Sequence, residues 1–172
     1  AGVGGGSLVY ANTLYRPPDA FYAGSTWSRI TDWKAELAPY YDQASRMLGV
    51  TVNPTMTPAD VAMRKVAEQL GVEHTFRMTP VGVYFGDRDV PPGTETEDPY
   101  FGGAGPRRRT CLECGACMTG CRFNAKNTLT KNYLYLAERG GAVVHPLTTV
   151  EAVRPLARGG YAIDAVRTGA PW

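Results

Sequence analysis

Four cysteines at positions 111, 114, 117 and 121 form a C-x-x-C-x-x-C-x-x-x-C run of eleven residues. Thiolates at that spacing can grip an iron–sulfur cube, and Gly115 and Gly120 let the loop wrap around an object. The run matches the bacterial ferredoxin pattern except that Arg122 stands where a proline usually follows. Arg107, Arg108, Arg109 and Arg122 are close in sequence and would favour thiolate over thiol. Structural zinc also takes four thiolates, although its paired knuckles usually lie roughly a dozen or more residues apart. Two disulfides would require an oxidising compartment. The metal-ligand candidates are Cys111, Cys114, Cys117 and Cys121, with iron–sulfur as the leading chemistry and zinc or disulfides as alternatives.

A second feature is Gly2-Val3-Gly4-Gly5-Gly6-Ser7. Backbone N–H groups without side chains can lie against an anionic or planar ligand such as a dinucleotide or flavin, and Ser7 adds a hydroxyl donor. A run of this kind serves equally as a tight turn that needs positive φ. The chain has two histidines, His74 and His145. His74 lies just past a helix stop and His145 inside an expected strand, so both read as structural or surface residues and neither as a catalytic base.

These residues need elements to position them. Residues 7–14 are apolar enough to be buried. Apolar residues at near-helical spacing over 32–48 predict a helix that Pro39 splits into two pieces. Thr57 to Leu70 is the best helix: Thr57 caps it, Pro58 opens it, Gly71 stops it, and Ala59, Ala62, Met63, Val66, Ala67 and Leu70 form an apolar stripe to be buried. Residues 79–86 read as a short strand, 87–109 as a surface excursion that covers something, and 127–139 as a helix. Residues 142–147, 149–156 and 160–168 read as three strands. Phe21, Trp27 and Trp33 are candidates for a pocket wall.

Composition sets the limits. At 172 residues the chain can bury a core without a staple. Eighteen basic against sixteen acidic residues give no electrostatic reason to expect a nucleic-acid partner. No apolar run approaches the ~20 residues of a membrane span. Twenty glycines and thirteen prolines, nearly a fifth of the chain against about 12% on average, make it loop-rich. No internal repeat is present.

Taken together, Gly2-Val3-Gly4-Gly5-Gly6-Ser7-Leu8-Val9, the Tyr15-Arg16-Pro17 turn and Lys126-Asn127-Thr128-Leu129-Thr130-Lys131-Asn132-Tyr133-Leu134 resemble the glucose–methanol–choline (GMC) family of FAD oxidoreductases. The likeness is greatest to its bacterial cholesterol-oxidase-like branch. It implies a mixed α+β and α/β fold: part of an FAD-binding, Rossmann-like domain with part of an α+β substrate domain. The corresponding segments are 1–20 (flavin-contacting glycine loop), 21–110 (substrate-side cap), 111–125 (cysteine-rich loop) and 126–172 (helix and strands returning to the FAD domain). The resemblance assigns flavin contacts to Gly4, Gly5, Gly6, Ser7 and Asn12, and an adenine contact to the backbone of Val150. Tyr10-Ala11-Asn12 departs from the Asn-Gly that relatives commonly have after the Leu-Val pair. The family's GxGxxG unit and its C-terminal His/Asn region have no counterpart here, so an internal fragment is expected, with its delivering strand upstream and no base of its own.

The reaction so implied is hydride transfer to FAD from the CH–OH carbon of an alcohol, a sterol in that branch. Some dehydrogenases of the family carry an iron–sulfur cluster in a loop resembling 111–121, which takes electrons off the flavin. Arg107 to Arg109 would then be a docking spot for an acidic electron carrier, and otherwise a solvated turn. The expected partners are the alcohol, the remainder of the enzyme and that carrier, and the expected location is cytoplasmic. The alternative is an iron–sulfur electron-transfer module or a zinc-stabilised binding module built on the cysteine loop.

Overall fold

The computed structural model describes residues 2–169. Ala1 and residues 170–172, the outermost parts of the 1–20 and 126–172 segments, lie outside the described residues. The chain is of mixed α and β character. Helix α1 (Asp19–Tyr22) leads to α2 (Trp33–Met47), then β1 (Thr51–Val52), α3 (Pro58–Gln69), β2 (Pro80–Val81), β3 (Glu95–Thr96), β4 (Arg108–Arg109), α4 (Tyr133–Arg139), β5 (Thr148–Pro155) and β6 (Tyr161–Arg167). The described strands form three two-stranded antiparallel pairs, β1 with β2, β3 with β4 and β5 with β6. The parallel layer of a Rossmann-like domain is therefore not represented among the described residues.

Local chemistry explains the helices. Asp32 accepts the Ala35 N–H at 3.1 Å and opens α2, which runs unbroken through Pro39 rather than in two pieces. A proline forfeits one helical hydrogen bond, here to Ala35, and because Ala35 is exposed water can serve that carbonyl. In α3, Thr57 Oγ1 accepts the Asp60 N–H while Asp60 accepts the Thr57 N–H at 2.8 Å, a reciprocal cap. The α3 stripe is amphipathic as expected but uncovered: Met63 is 64% and Leu70 71% exposed.

The strip 80–84 organises the middle of the chain. Thr51 and Val52 pair with Val81 and Pro80, the segment 12–14 bonds it through Leu14 N to Pro80 O and Gly82 N to Asn12 O, and Val83 bridges Lys126. Because its partners change along its length, the strand expected over 79–86 is recorded only at Pro80–Val81. The excursion from 87 is not wholly on the surface. Thr94 and Thr110 tie it together, and Asp98 accepts N–H bonds from Tyr100, Phe101, Gly103 and Gly105.

Three further expectations are corrected. The helix foreseen over 127–139 is a 3-10 turn (Leu129–Lys131) followed by α4, because Asn132 at φ −135°, ψ −97° breaks the helix and its side chain caps Tyr133 N. Residues 142–147 form no strand: Leu147 has φ +54°, which turns the chain into β5. Residues 7–14 are not buried as a unit, since Val9 is 62% exposed and Gly5–Leu8 is a 3-10 turn.

The hydrophobic core among the described residues is small, comprising Val81, Val83 and Ala125. More buried residues are polar: Arg108, Thr110, Lys126, Asn127, Thr128 and Asn132. Removing the α3 cap by Thr57→Ala is expected to cost about 1 kcal/mol in urea unfolding of the intact protein. The two hydrogen bonds from Thr57 hold the Asp60 carboxyl below its usual range. A depressed carboxylate contributes stability above its unfolded pKa and loses it as pH falls through the folded value, so the difference between wild type and Thr57→Ala should shrink on acidification.

Candidate functional site

The site is built around Lys126. Its side chain is fully buried, and its ammonium donates to Leu8 O at 3.0 Å, Tyr10 O at 3.0 Å and Cys117 O at 2.7 Å. All three ammonium hydrogens are thus used, and the Tyr10 ring lies 4.8 Å away to receive the cation on its face. Burial pulls the Lys126 pKa down, while Cys117 and Cys121 pull it up. One charge thereby joins the segment after the glycine run to the cysteine loop.

Next to it, Arg108 donates to Asn124 O at 3.1 Å, Ala125 O at 2.9 Å and the Asn127 amide oxygen. Asn127 in turn donates to Leu48 O at 2.8 Å, and Tyr10 Oη donates to Asn127 O at 2.7 Å. Burial, then the charge of Cys117, pushes the Tyr10 phenol up to about 12. Among the described residues no buried side-chain nitrogen or oxygen lacks a partner. The sequence assigned no role to Tyr10 or Lys126, and offered Arg107 to Arg109 as a carrier-docking spot or a solvated turn. The structure separates the three arginines: Arg107 and Arg109 face outward toward Glu95 and Glu97, whereas Arg108 is 1% exposed. Only the unusual run Ala125-Lys126-Asn127-Thr128, polar where a core segment would be apolar, hinted at this.

The glycine loop is clamped from behind. Ser7 Oγ donates to Gly4 O at 2.6 Å and accepts the Leu129 N–H at 2.9 Å, so its hydroxyl hydrogen is used within the chain. Gly4 is buried at φ +110°, whereas Gly5 and Gly6 are exposed and a Cβ added at either would meet nothing within 4 Å. The outer face of the loop is open backbone. Asn12, at φ +78°, donates its amide to Cys117 Sγ at 3.3 Å. Val150 lies elsewhere, on the β5–β6 ribbon beside a β-bulge, and the hydrogen bonds of that ribbon among the described residues stay within 146–168.

All four cysteines line one cavity of about 340 Å³, together with Val81, Val83, Phe85 and Phe123. They are free thiols. Among the described residues no group of three or more Cys, His, Asp or Glu side chains is placed to hold a metal ion, so the iron–sulfur or zinc expectation at Cys111, Cys114, Cys117 and Cys121 gains no support. Cys111 instead accepts the Glu113 N–H, Cys117 the Asn12 amide and Cys121 the Lys126 N–H, while Cys114 is exposed. Burial raises the Cys111 thiol. At Cys121 burial also raises it, but backbone N–H groups of Lys126, Ala125 and Phe123 outweigh that and leave the thiol lowered.

Phe21, Trp27 and Trp33 do not line this cavity. Phe21 and Trp27 pack edge to face at 4.3 Å, and the Trp33 and Trp27 indoles donate to backbone carbonyls near α1, so local structure uses these rings. His74 and His145 are both exposed, His74 in a 3-10 turn and His145 outside any strand.

The chain defined by this fold and site is a mixed α and β polypeptide with an open glycine loop docked on a polar core. No protein-family model and no solved structure matches it. Curated relatives do: proteins named "Cholesterol oxidase" from Mycobacterium tuberculosis, strains CDC 1551 / Oshkosh and ATCC 25618 / H37Rv, are each 59% identical over 170 residues, 98% of this chain. A protein of the same name from Acinetobacter baumannii is 51% identical over 154 residues, 90% of this chain. The chain is cholesterol-oxidase-like over that region, which spans 29% of the length of the first two relatives and 28% of the third. No described helix is long and apolar enough to cross a membrane.

Two tests follow from the polar core. Lys126→Met, which keeps the aliphatic stem but strands three carbonyls, is expected to lower unfolding free energy by about 3 kcal/mol or more in denaturant titration. Lys131 donates to Lys126 O, and burial, aided by Arg108, brings its pKa to about 8. A lysine depressed in the folded state is bound by fewer protons than in the unfolded chain between the two pKa values, so stability should rise with pH from about 8 upward. Lys131→Met should flatten that rise in thermal melts across the range.

Proposed function

We propose that this chain supplies the flavin-cradling segment of a flavin-dependent oxidoreductase acting on the CH–OH group of a sterol. The carrying observation is the 59% identity over 98% of the chain to proteins named "Cholesterol oxidase". The GMC resemblance of residues 2–9 and 126–134 points to FAD as the cofactor.

The residues present fit that cofactor. Gly5 and Gly6 lie exposed on a face that no side chain of this chain occupies, which lets a planar ligand approach the backbone closely. When bound, the flavin supplies the hydride-accepting chemistry. The chain's own work is positioning. Gly4, Gly5 and Gly6 present backbone, Ser7 holds their shape by bonding Gly4 O and Leu129 N, and Lys126 holds the segment that follows by gripping Leu8 O and Tyr10 O. In this reading Asn12 continues the flavin-side wall and Val150 presents backbone to the adenine. The substrate-side cap spans 21–110 and the FAD-side return 126–172. The remainder of the enzyme supplies the base, since both histidines here are exposed and outside the cysteine cavity. No electron route through the cysteines is part of the reading.

The intact protein carrying this sequence should purify with flavin absorbance that bleaches anaerobically on addition of cholesterol. Absence of flavin after reconstitution with FAD, or flavin that cholesterol and other sterols leave oxidised, would overturn the reading. Gly6→Val places a side chain in space that is open in the protein and needed only by a ligand, so it should weaken FAD retention about tenfold or more, equivalent to ~1.4 kcal/mol, without lowering apoprotein stability.

A further inference from the structure

Among the described residues the two fully buried charged side chains are both cations, Lys126 at 0% and Arg108 at 1% exposure. A third cation, the half-buried Lys131, lies beside them. Together they take the carbonyls of three consecutive residues: Arg108 those of Asn124 and Ala125, Lys131 that of Lys126. Buried charges in proteins are normally answered by an opposite charge. None of the ion pairs among the described residues includes Arg108, Lys126 or Lys131. Asp98, a carboxylate whose charge reaches Arg108, gives its oxygens to four backbone N–H groups. The geometry also demands the charged form of Lys126, because three carbonyls face its nitrogen and a neutral amine has only two hydrogens to give them.

This charge stands close to the glycine loop. Tyr10 N–H donates to Gly6 O at 3.1 Å and Tyr10 O accepts from the Lys126 ammonium at 3.0 Å, so the backbone of one residue separates the two bonds. The dimensions of that residue put the ammonium within about 10 Å of the Gly6 carbonyl. Leu8, which closes the same 3-10 turn, accepts from the ammonium directly. No ammonium hydrogen is left for a ligand, so the charge acts through space, and its burial keeps water from screening it on the inner side. Resting on the flavin reading above, we propose that Lys126, backed by Arg108 and Lys131, is a fixed counter-charge that raises the reduction potential of a flavin held on this loop. Hydride transfer from a CH–OH carbon breaks the C–H bond, forms the carbonyl and gives the hydroxyl proton to a base in the remainder of the enzyme. It leaves the acceptor with two more electrons and one more negative charge. A buried cation attracts that added charge and so favours the reduced form over the oxidised one. The side chain that holds the shape of the loop thereby also sets how strongly its ligand accepts electrons.

The test uses the intact protein carrying this sequence, loaded with FAD, and reads the two-electron midpoint potential of the flavin by anaerobic equilibration with a reference dye at neutral pH. Lys126→Met should lower the potential by about 30 mV or more, equivalent to a tenfold loss in the ratio of reduced to oxidised flavin for a two-electron couple. Lys126→Arg, which keeps the charge, should stay near the wild-type value. Lys131→Met removes a cation that makes one hydrogen bond, and should lower the same ratio by about threefold. This milder variant carries the test if Lys126→Met does not fold or does not hold its flavin. A flavin-loaded Lys126→Met with the wild-type potential would mean that the charge is answered inside the chain, and would overturn the proposal. So would an unmoved potential in Lys131→Met, or a Lys126→Arg potential as low as that of Lys126→Met, which would trace the shift to loop shape. Failure of the wild-type protein to take up FAD would remove the sterol reading as well, whereas loaded flavin with an unmoved potential removes this inference alone.

Discussion

A single buried ammonium sets much of this architecture. Lys126 places its charge where water cannot follow, and that is tolerable only because three carbonyls from residues 8, 10 and 117 meet its three hydrogens. The requirement runs both ways. The chain after the glycine run must turn its carbonyls inward, and the cysteine loop must bring Cys117 back to the same point. Apolar packing could not impose such directionality, because dispersion contacts accept many orientations whereas an ammonium fork accepts few.

The same logic extends through Arg108 and Asn127. Between them they satisfy carbonyls of Asn124, Ala125 and Leu48, so that the loop after β1's preceding helix, the β4 strip and the 124–127 segment share one hydrogen-bonded centre. The apolar cluster of Val81, Val83 and Ala125 is too small to organise these segments alone. Meanwhile apolar residues of α3 and the β5–β6 ribbon, including Met63 and Ile163, stay exposed. Stability in the described residues is concentrated in polar bonding near the site and is thin at the helices and the ribbon.

That distribution suits a positioning role. A backbone cradle works when it is held in place before its ligand arrives, and Ser7 and Lys126 hold the glycine loop from its inner side while Gly5 and Gly6 face outward. The cysteines line a cavity beside the same support, and Lys126 contributes to its wall. Three of the four sulfurs accept N–H bonds, Cys111 from Glu113, Cys121 from Lys126 and Cys117 from the distant Asn12.

Short-range chemistry was legible from residue order. The Thr57 cap and the Pro58 start of α3 depend on atoms a few residues apart, and the structure contains them. The likeness of residues 2–9 and 126–134 to a flavoenzyme family was also carried by order alone. What residue order left open was everything that needs a partner distant along the chain: the burial of Arg108 but not its two arginine neighbours, the tie from Lys126 to residue 8, and the exposure of the α3 stripe. Side-chain charge says nothing of where a residue will be buried until carbonyls more than a hundred positions away are brought to meet it, and that meeting is an outcome of tertiary folding.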